Sequence, residues 1–255
     1  MKKLASTKNK ILNYLPSFVL IFIIAAFWEF SVRTGVVNKV FTPAPSTIFT
    51  NTYKILGDIM PEIIHSLTIA VTGLILSIIL AIFLCLLMDS FNFIKRSLYP
   101  LIIISQLLPT IVVAPLYVLW FGYGVFPKIL LIISFCFFPI TINMFDAMSK
   151  IDINIINLIR NMGGTQKDVY KIVKIPVAIK GIISGVKIST TFCLTGALIA
   201  EWLGGSRGLG VYMMTAKRSY NYNGVFSVLL IIVILSLALI GIVFFIERVF
   251  FKKYI

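Results

Sequence analysis

The most constraining feature of this chain is a series of charge-free apolar runs, each close to the length needed to cross a bilayer. A hydrocarbon core of about 30 Å takes about 20 helical residues at about 1.5 Å each. Five runs meet or approach that length: Ile11–Trp28, Ile63–Met88, Leu98–Trp120, Ile129–Phe145 and Val225–Ile246. The last holds 18 Leu, Ile, Val and Phe residues. At about 0.3–0.6 kcal/mol each, these favour insertion by roughly 5–11 kcal/mol. A sixth run, Ile188–Ala200, is only 13 residues long and is bounded by Lys187 and Glu201. It is expected inside the bundle with both charges reaching opposite surfaces. Its small and hydroxylated residues (Ser189, Thr190, Thr191, Thr195, Gly196 and Ala197) suit helix–helix contact.

The expected fold class is therefore all-α, a polytopic membrane bundle of about six transmembrane helices. Only 13% of the 255 residues are charged and 59% are hydrophobic, which no soluble domain of this size could bury. The net charge of +14 does not indicate nucleic acid, because the cations lie between apolar runs. With both termini cytoplasmic, the inner segments carry 15 Lys and Arg and the outer ones 7, the usual positive-inside bias. Residues 1–14, with Lys2, Lys3, Lys8 and Lys10, read as a basic cytoplasmic tail, and 15–255 as the transmembrane domain.

Chemistry-bearing patterns are scarce. Cys85, Cys136 and Cys193 stand apart in apolar stretches and read as small hydrophobes, and the single histidine, His65, reads as an interfacial residue. No GxxxxGK[ST] loop, Ser/His/Asp arrangement or metal-ligand spacing occurs. No catalytic, cofactor-binding or metal-binding residues are assigned, and any ATP and Mg would be bound by a partner subunit.

The longest inner connection, 150–180, is patterned as two short helices. Ile155, Ile156, Ile159 and Met162 share a face, Gly163-Gly164 stop the first helix, Thr165 and Asp168 form a capping box, and Pro176 ends the second. This hairpin would either lie on the lipid surface or dock a soluble partner. Pro109, Pro115 and Pro139 are expected inside spans, as packing kinks or as hinges. Gln106, Thr110, Thr141, Asn143, Thr191 and Thr195 are polar at membrane depth, fitting either a translocation path or helix–helix hydrogen bonds. Glu29 and Glu201 are expected as interfacial anchors, and Ser46–Leu56 as a separate helix on the outer surface with Ile48, Phe49, Thr52, Tyr53 and Leu56 on one face.

The order Asn157-Leu158-Ile159, three residues, Gly163, nine residues, Val173-Lys174-Ile175-Pro176 resembles the signature of bacterial ABC importer permeases. That signature reads Glu-Ala-Ala, three residues, Gly, nine residues, Ile-x-Leu-Pro; the glycine, the proline and their spacing match, and the Glu-Ala-Ala part does not. Trp28-Glu29, Pro43-Ala44-Pro45-Ser46, Trp120-Phe121-Gly122, Gly185-Val186-Lys187-Ile188, Glu201-Trp202-Leu203-Gly204 and Gly208-Leu209-Gly210 extend the resemblance to the nitrate/sulfonate/taurine branch. Val211-Tyr212-Met213 leans towards relatives importing thiamine-pyrimidine precursors or riboflavin.

The resemblance implies a type I ABC importer-like fold and an ATPase coupling segment at 155–165. Within it and just beyond lie Ile155, Asn157, Leu158, Ile159, Met162, Gly163, Gly164, Thr165 and Pro176, with Gly163 as the bend. It also implies two ATP-binding-cassette subunits, an extracytoplasmic binding protein and a second permease copy in membrane lipid. The contrasting class is an ion-coupled secondary transporter, which would need mid-membrane charges and inverted repeats.

Overall fold

The computed structural model describes the backbone of residues 2–251 and the side chains of residues 15–251. The basic side chains of the tail and the terminal Lys252 and Lys253, both used in the charge count, lie outside the described residues. All regular structure among the described residues is helical, with no strand: α1 (Lys2–Arg33), α2 (Pro45–Ser90), α3 (Asn92–Ser105), α4 (Thr110–Phe121), α5 (Val125–Ser149), α6 (Ile153–Asn161), α7 (Gln166–Val169), α8 (Ile175–Gly204), α9 (Leu209–Arg218) and α10 (Tyr222–Phe250). Five helices are long and apolar enough to span a bilayer, and a sixth span results if the bent pair α3–α4 is counted as one.

Three expected boundaries are corrected. Ser46–Leu56 is not a separate surface helix but the first part of α2, which runs unbroken for 46 residues. Ile48 and Thr52 are buried there, whereas Phe49, Tyr53 and Leu56 are exposed. The third span is broken: α3 and α4 meet at 103°. Pro109 lies at this break as the residue preceding α4, not within a helix. It has no N–H to give and disfavours helical backbone at Leu108, so the helix stops there. Pro115 and Pro139 do lie inside helices. Finally, Pro176 does not end the second arm of the hairpin. A π turn, Tyr170–Lys174, joins α7 to α8, and the 39 residues Gln166–Gly204 form one helical run. The wider turn accommodates the ring of Pro176, which would otherwise clash with a carbonyl one turn back.

The chain divides into two compact units. The first comprises residues up to Asp58 with Thr215–Ile231. Its packing is aromatic and polar: the Trp28 and Phe226 rings lie 6.0 Å apart, and the Asn51 amide donates to the Ser227 hydroxyl at 2.8 Å. Glu29 is here a bracing carboxylate, accepting from the Ser46 backbone N–H at 3.0 Å and from Arg33 Nε at 2.6 Å.

The second unit comprises Ile59–Met214 with the chain from Ile232 onward, and α5 against α8 is its centre. Ile132, Cys136, Ile140 and Met144 recur every fourth residue and form the buried stripe of α5. α8 answers with Gly181, Gly185 and Ser189 at the same spacing, all buried. A Cβ at Gly181 would come within 2.6 Å of the Asn143 carbonyl oxygen, and one at Gly185 within 2.5 Å of Ile140 Cα. The helices touch backbone to backbone, as small residues four apart allow where lipid gives no hydrophobic drive to associate. The contact is sealed by the Ser189 hydroxyl donating to the Cys136 carbonyl at 2.7 Å. All three cysteines are buried free thiols.

Candidate coupling segment and translocation path

The hairpin at 150–180 is built from caps. Asp152 accepts from the Asn154 backbone N–H at 2.8 Å and starts α6. At the other end Gly163 has φ +84°, a left-handed backbone that costs an L-residue roughly 1–2 kcal/mol. Gly164 N–H donates to the Ile159 carbonyl at 2.9 Å and Gly163 N–H to that of Arg160 at 3.0 Å, the paired bonds of a Schellman ending. The reason for glycine at 163 is therefore its dihedral angle and not crowding, since a Cβ there would meet nothing within 4 Å. Crowding applies to Gly164, where a Cβ would lie 2.6 Å from Ile159 Cγ2.

The next helix opens with the expected capping box. Asp168 accepts from the Thr165 backbone N–H at 2.8 Å and from its hydroxyl at 2.6 Å, and the Asp168 N–H returns a bond to Thr165 Oγ1. These bonds hold the Asp168 carboxyl below the usual carboxylate range. Arg160 reaches across the turn to Gln166 Oε1 at 3.1 Å.

Beyond the box, the second arm is tied to the end of α2. Lys174 pairs with Asp89 at 2.7 Å, and the Tyr170 hydroxyl donates to the same carboxylate. Val169 is fully buried, while Ile172, within the π turn, is exposed. The first arm is the opposite case: α6 buries no residue. Ile153, Ile155, Leu158 and Met162 are exposed, Met162 to 79%; Ile156 and Ile159 are half-buried, and Asn157 is exposed. The structure thus presents an anchored arm and an unpartnered apolar one, at an angle fixed by Gly163.

The expected path residues divide between separate elements. Thr191 and Thr195 fall one turn apart on α8 and are exposed, along with Ser184, Ile188 and Phe192. This is the single uncovered stripe of a helix otherwise buried along most of its length. Thr191 donates to the Ile188 carbonyl at 2.6 Å. Gln106 and Thr110 flank the α3–α4 break, Gln106 exposed and Thr110 half-buried. Asn143 is half-buried with its amide donated to the Pro139 carbonyl at 2.8 Å, and Thr141 is buried and bonded to Phe137. Both bonds run back one turn within α5.

Both bounding charges of α8 depart from expectation. Lys187 does not reach for the surface; it pairs with Glu247 of α10 at 2.6 Å, beneath the Phe244 ring. Glu201 is not an interfacial anchor but is 1% exposed. Its oxygens accept from the Ser66 hydroxyl and the Gly210 N–H, each at 2.7 Å, while Ser66 in turn accepts from Leu209 N–H. Glu62 accepts from Gly208 N–H and faces Arg207 at 3.7 Å. The two carboxylates fold the Gly205–Gly210 loop onto α2, so the Glu-Trp-Leu-Gly and Gly-Leu-Gly elements are one structural device. Nothing in the local sequence signalled the partners, because Ser66 and Glu201 are 135 residues apart.

The described residues thus form a helical membrane-spanning protein with a capped hairpin, one arm of which has no partner within the chain. The chain belongs to the family of binding-protein-dependent transport system inner membrane components, which matches residues 73–255. It is similar to the formylaminopyrimidine transport permease protein of Halalkalibacterium halodurans, with 31% identity over 82% of this chain and 84% of that one. It is also similar to a putative aliphatic sulfonates transport permease protein of Bacillus subtilis, with 26% identity over 88% and 82%. The riboflavin transport system permease protein of Chloroflexus aurantiacus shares 29% identity over 62% and 59%. The fold matches a chain of the MetNI methionine ABC transporter, solved in inward-facing conformations, with a TM-score of 0.65 over 76% of this chain and 97% of that one, at 17% identity. The protein is a multi-pass translocation subunit of an ABC importer in the bacterial cytoplasmic membrane, and ATP hydrolysis belongs to a separate subunit. Membership carries with it an ATPase and a substrate-binding protein as partners.

Proposed function

We propose that residues 155–165 are the element through which this permease is driven, inserting the apolar face of α6 into a groove of the ATPase subunit. The observation that carries this reading is the burial pattern: α6 buries no residue, yet exposes Ile153, Ile155, Leu158 and Met162 on a helix capped at both ends. A helix stabilised so carefully without a core of its own is made for a partner's surface. Asp89, holding Lys174 and Tyr170, makes the second arm rigid, so that force applied at α6 passes into α8.

In this reading 150–180 is cytoplasmic, as are the 1–14 tail and the C-terminus, in keeping with the excess of Lys and Arg on that side. The pore is formed by two copies of the chain, each with its own ATPase subunit. The uncovered stripe of Thr191 and Thr195 lines the path, with Gln106 and Thr110 at the α3–α4 break contributing, and supports the need for a second copy to enclose it. Closure of the ATPase pair draws the two α6 helices together and swings the bundle outward to receive solute from the binding protein. The solute is a small molecule of the kind handled by the relatives: a thiamine precursor, riboflavin or a sulfonate.

The test is a pair of cysteines, one at Met162 and one in the groove of the co-expressed ATPase. Disulfide formation that is sensitive to ATP supports docking. A complex that forms and transports while α6 remains open to a soluble thiol reagent throughout the cycle refutes it.

A further inference from the structure

A second group of charges in the larger unit has no role in the coupling scheme. A cavity of about 600 Å³ opens between the start of α5 and the end of α8, lined by His65, Tyr123, Lys128, Trp202 and the Gly204–Ser206 backbone. Lys128 is 6% exposed and lines this cavity. Among the described residues its ammonium enters no hydrogen bond and no ion pair. The stem is buried while the ammonium itself is not fully enclosed, so it meets the cavity with its three donors free for an acceptor.

Neither nearby carboxylate bonds to it. Glu201, the carboxylate whose field Lys128 shares, has both oxygens engaged by Ser66 and Gly210, and Glu62 is engaged by Gly208 and Arg207. The backbone adds to the positive field. Lys128 stands in the first turn of the 25-residue α5, which has no acidic residue there and no side-chain cap at Gly124. The unsatisfied N–H groups of a helix start favour anions. His65 also contributes an unanswered group: its Nε2 is buried and without a hydrogen-bond partner. Two aromatic side chains, Trp202 and Tyr123, also line the opening, and both are exposed.

We infer that this cavity is a binding site for a small organic anion, whose carboxylate or sulfonate is held by Lys128 and the start of α5 while its flat body rests between Trp202 and Tyr123. As a substrate site it rests on the permease reading, and it would narrow the transported class to anionic solutes. The binding itself requires neither ATP nor a partner, so it stands or falls separately from transport.

The test uses the full-length chain in lipid nanodiscs and small probes at constant ionic strength. Lysines are reductively methylated with and without benzoate, and modification of Lys128 is read by peptide mass spectrometry. Saturable protection of Lys128 by benzoate, with neutral benzamide giving none, is the expected result. Failure of Lys128 to react even without benzoate would mean its ammonium does not face the opening, and the site would be withdrawn. Equal protection by benzamide would remove the charge from the recognition, and equal protection by inorganic phosphate would remove the aromatic walls; either overturns the assignment. A second measurement follows Trp202 fluorescence in a background carrying Trp28→Phe and Trp120→Phe, titrated with benzenesulfonate. Lys128→Gln should weaken binding at least tenfold, and Lys128→Arg should restore most of it. Unchanged affinity in Lys128→Gln would sink the proposal.

Discussion

Truncating the exposed face of α6 separates docking from folding. Leu158 is 59% exposed and Met162 79% exposed, so neither contributes much to the isolated chain. A fully buried side chain of this size gains about 1.5–3 kcal/mol, so covering the exposed fractions is worth about 1–2 kcal/mol for each residue. The double variant Leu158→Ala, Met162→Ala should therefore weaken association with the ATPase by about 2–4 kcal/mol, or roughly 30- to 1,000-fold. Its own thermal stability should change by only about 0.5 kcal/mol, as for other exposed positions. The assay is co-purification with the ATPase subunit over a concentration series, together with substrate-stimulated ATP hydrolysis in proteoliposomes. Both should fall together, while insertion and melting of the permease alone are preserved. Wild-type coupling in the double variant would refute the reasoning, because no apolar surface of α6 would then be buried in the working complex. A collapse of permease stability would refute it differently, by showing that α6 belongs to the fold.

The remaining predictions concern how the hairpin and the bundle are held. Gly163→Ala should cost about 1–2 kcal/mol through its left-handed backbone, and limited proteolysis should find the 160–166 turn opened. Glu247→Gln and Lys187→Met should each lower the melting temperature of the detergent-solubilised permease, whereas the double variant should recover a large part of the loss; additive losses would mean that the pair is not a unit. Because Asp168 titrates lower in the folded hairpin than in the unfolded chain, its stabilisation is present above the unfolded value and is lost as pH falls through the folded one. The difference in melting temperature between the wild type and Asp168→Asn should thus be full at neutral pH and vanish in strong acid.

What could be read from residues alone was local. The Thr165–Asp168 box, the stop at Gly163-Gly164 and the existence of each apolar span depend on neighbours within a turn or two, and all are found. Partners distant in sequence were not legible. Asp89 gave no sign that Lys174 would meet it 85 residues later, and Glu201 looked like a surface charge because Ser66 and Gly210 could not be foreseen as its satisfaction. The fifth span looked too short because length was counted in uncharged residues, whereas Lys187 is neutralised inside the bundle by Glu247. Pro176 looked like a terminator because the rule against proline in a helix assumes an α-helical turn before it, and a π turn relieves the clash. Of the face expected on α6, Ile155 and Met162 are exposed and Ile156 and Ile159 half-buried, and Ile153 and Leu158 are exposed as well. With no core beneath a helix, nothing in its own pattern fixes which side faces out.

The π turn also has a consequence for registration. Its first and last residues, Tyr170 and Lys174, are the ones held by Asp89, and it sits in a helical run of 39 residues that spans roughly 58 Å at about 1.5 Å each. No loop interrupts this run between Gln166 and Gly204, so the hairpin's second arm and the stretch carrying Thr191 and Thr195 are one continuous helix. The α-helical stretch that follows the turn sets the phase of that helix: removing one residue between Ile175 and Lys180 would rotate everything beyond it by about 100°. Such a deletion would swing Gly181 and Gly185 away from α5 and turn the uncovered threonines elsewhere. The chain can therefore tolerate changes of side chain along this stretch far more readily than any change in its count of residues.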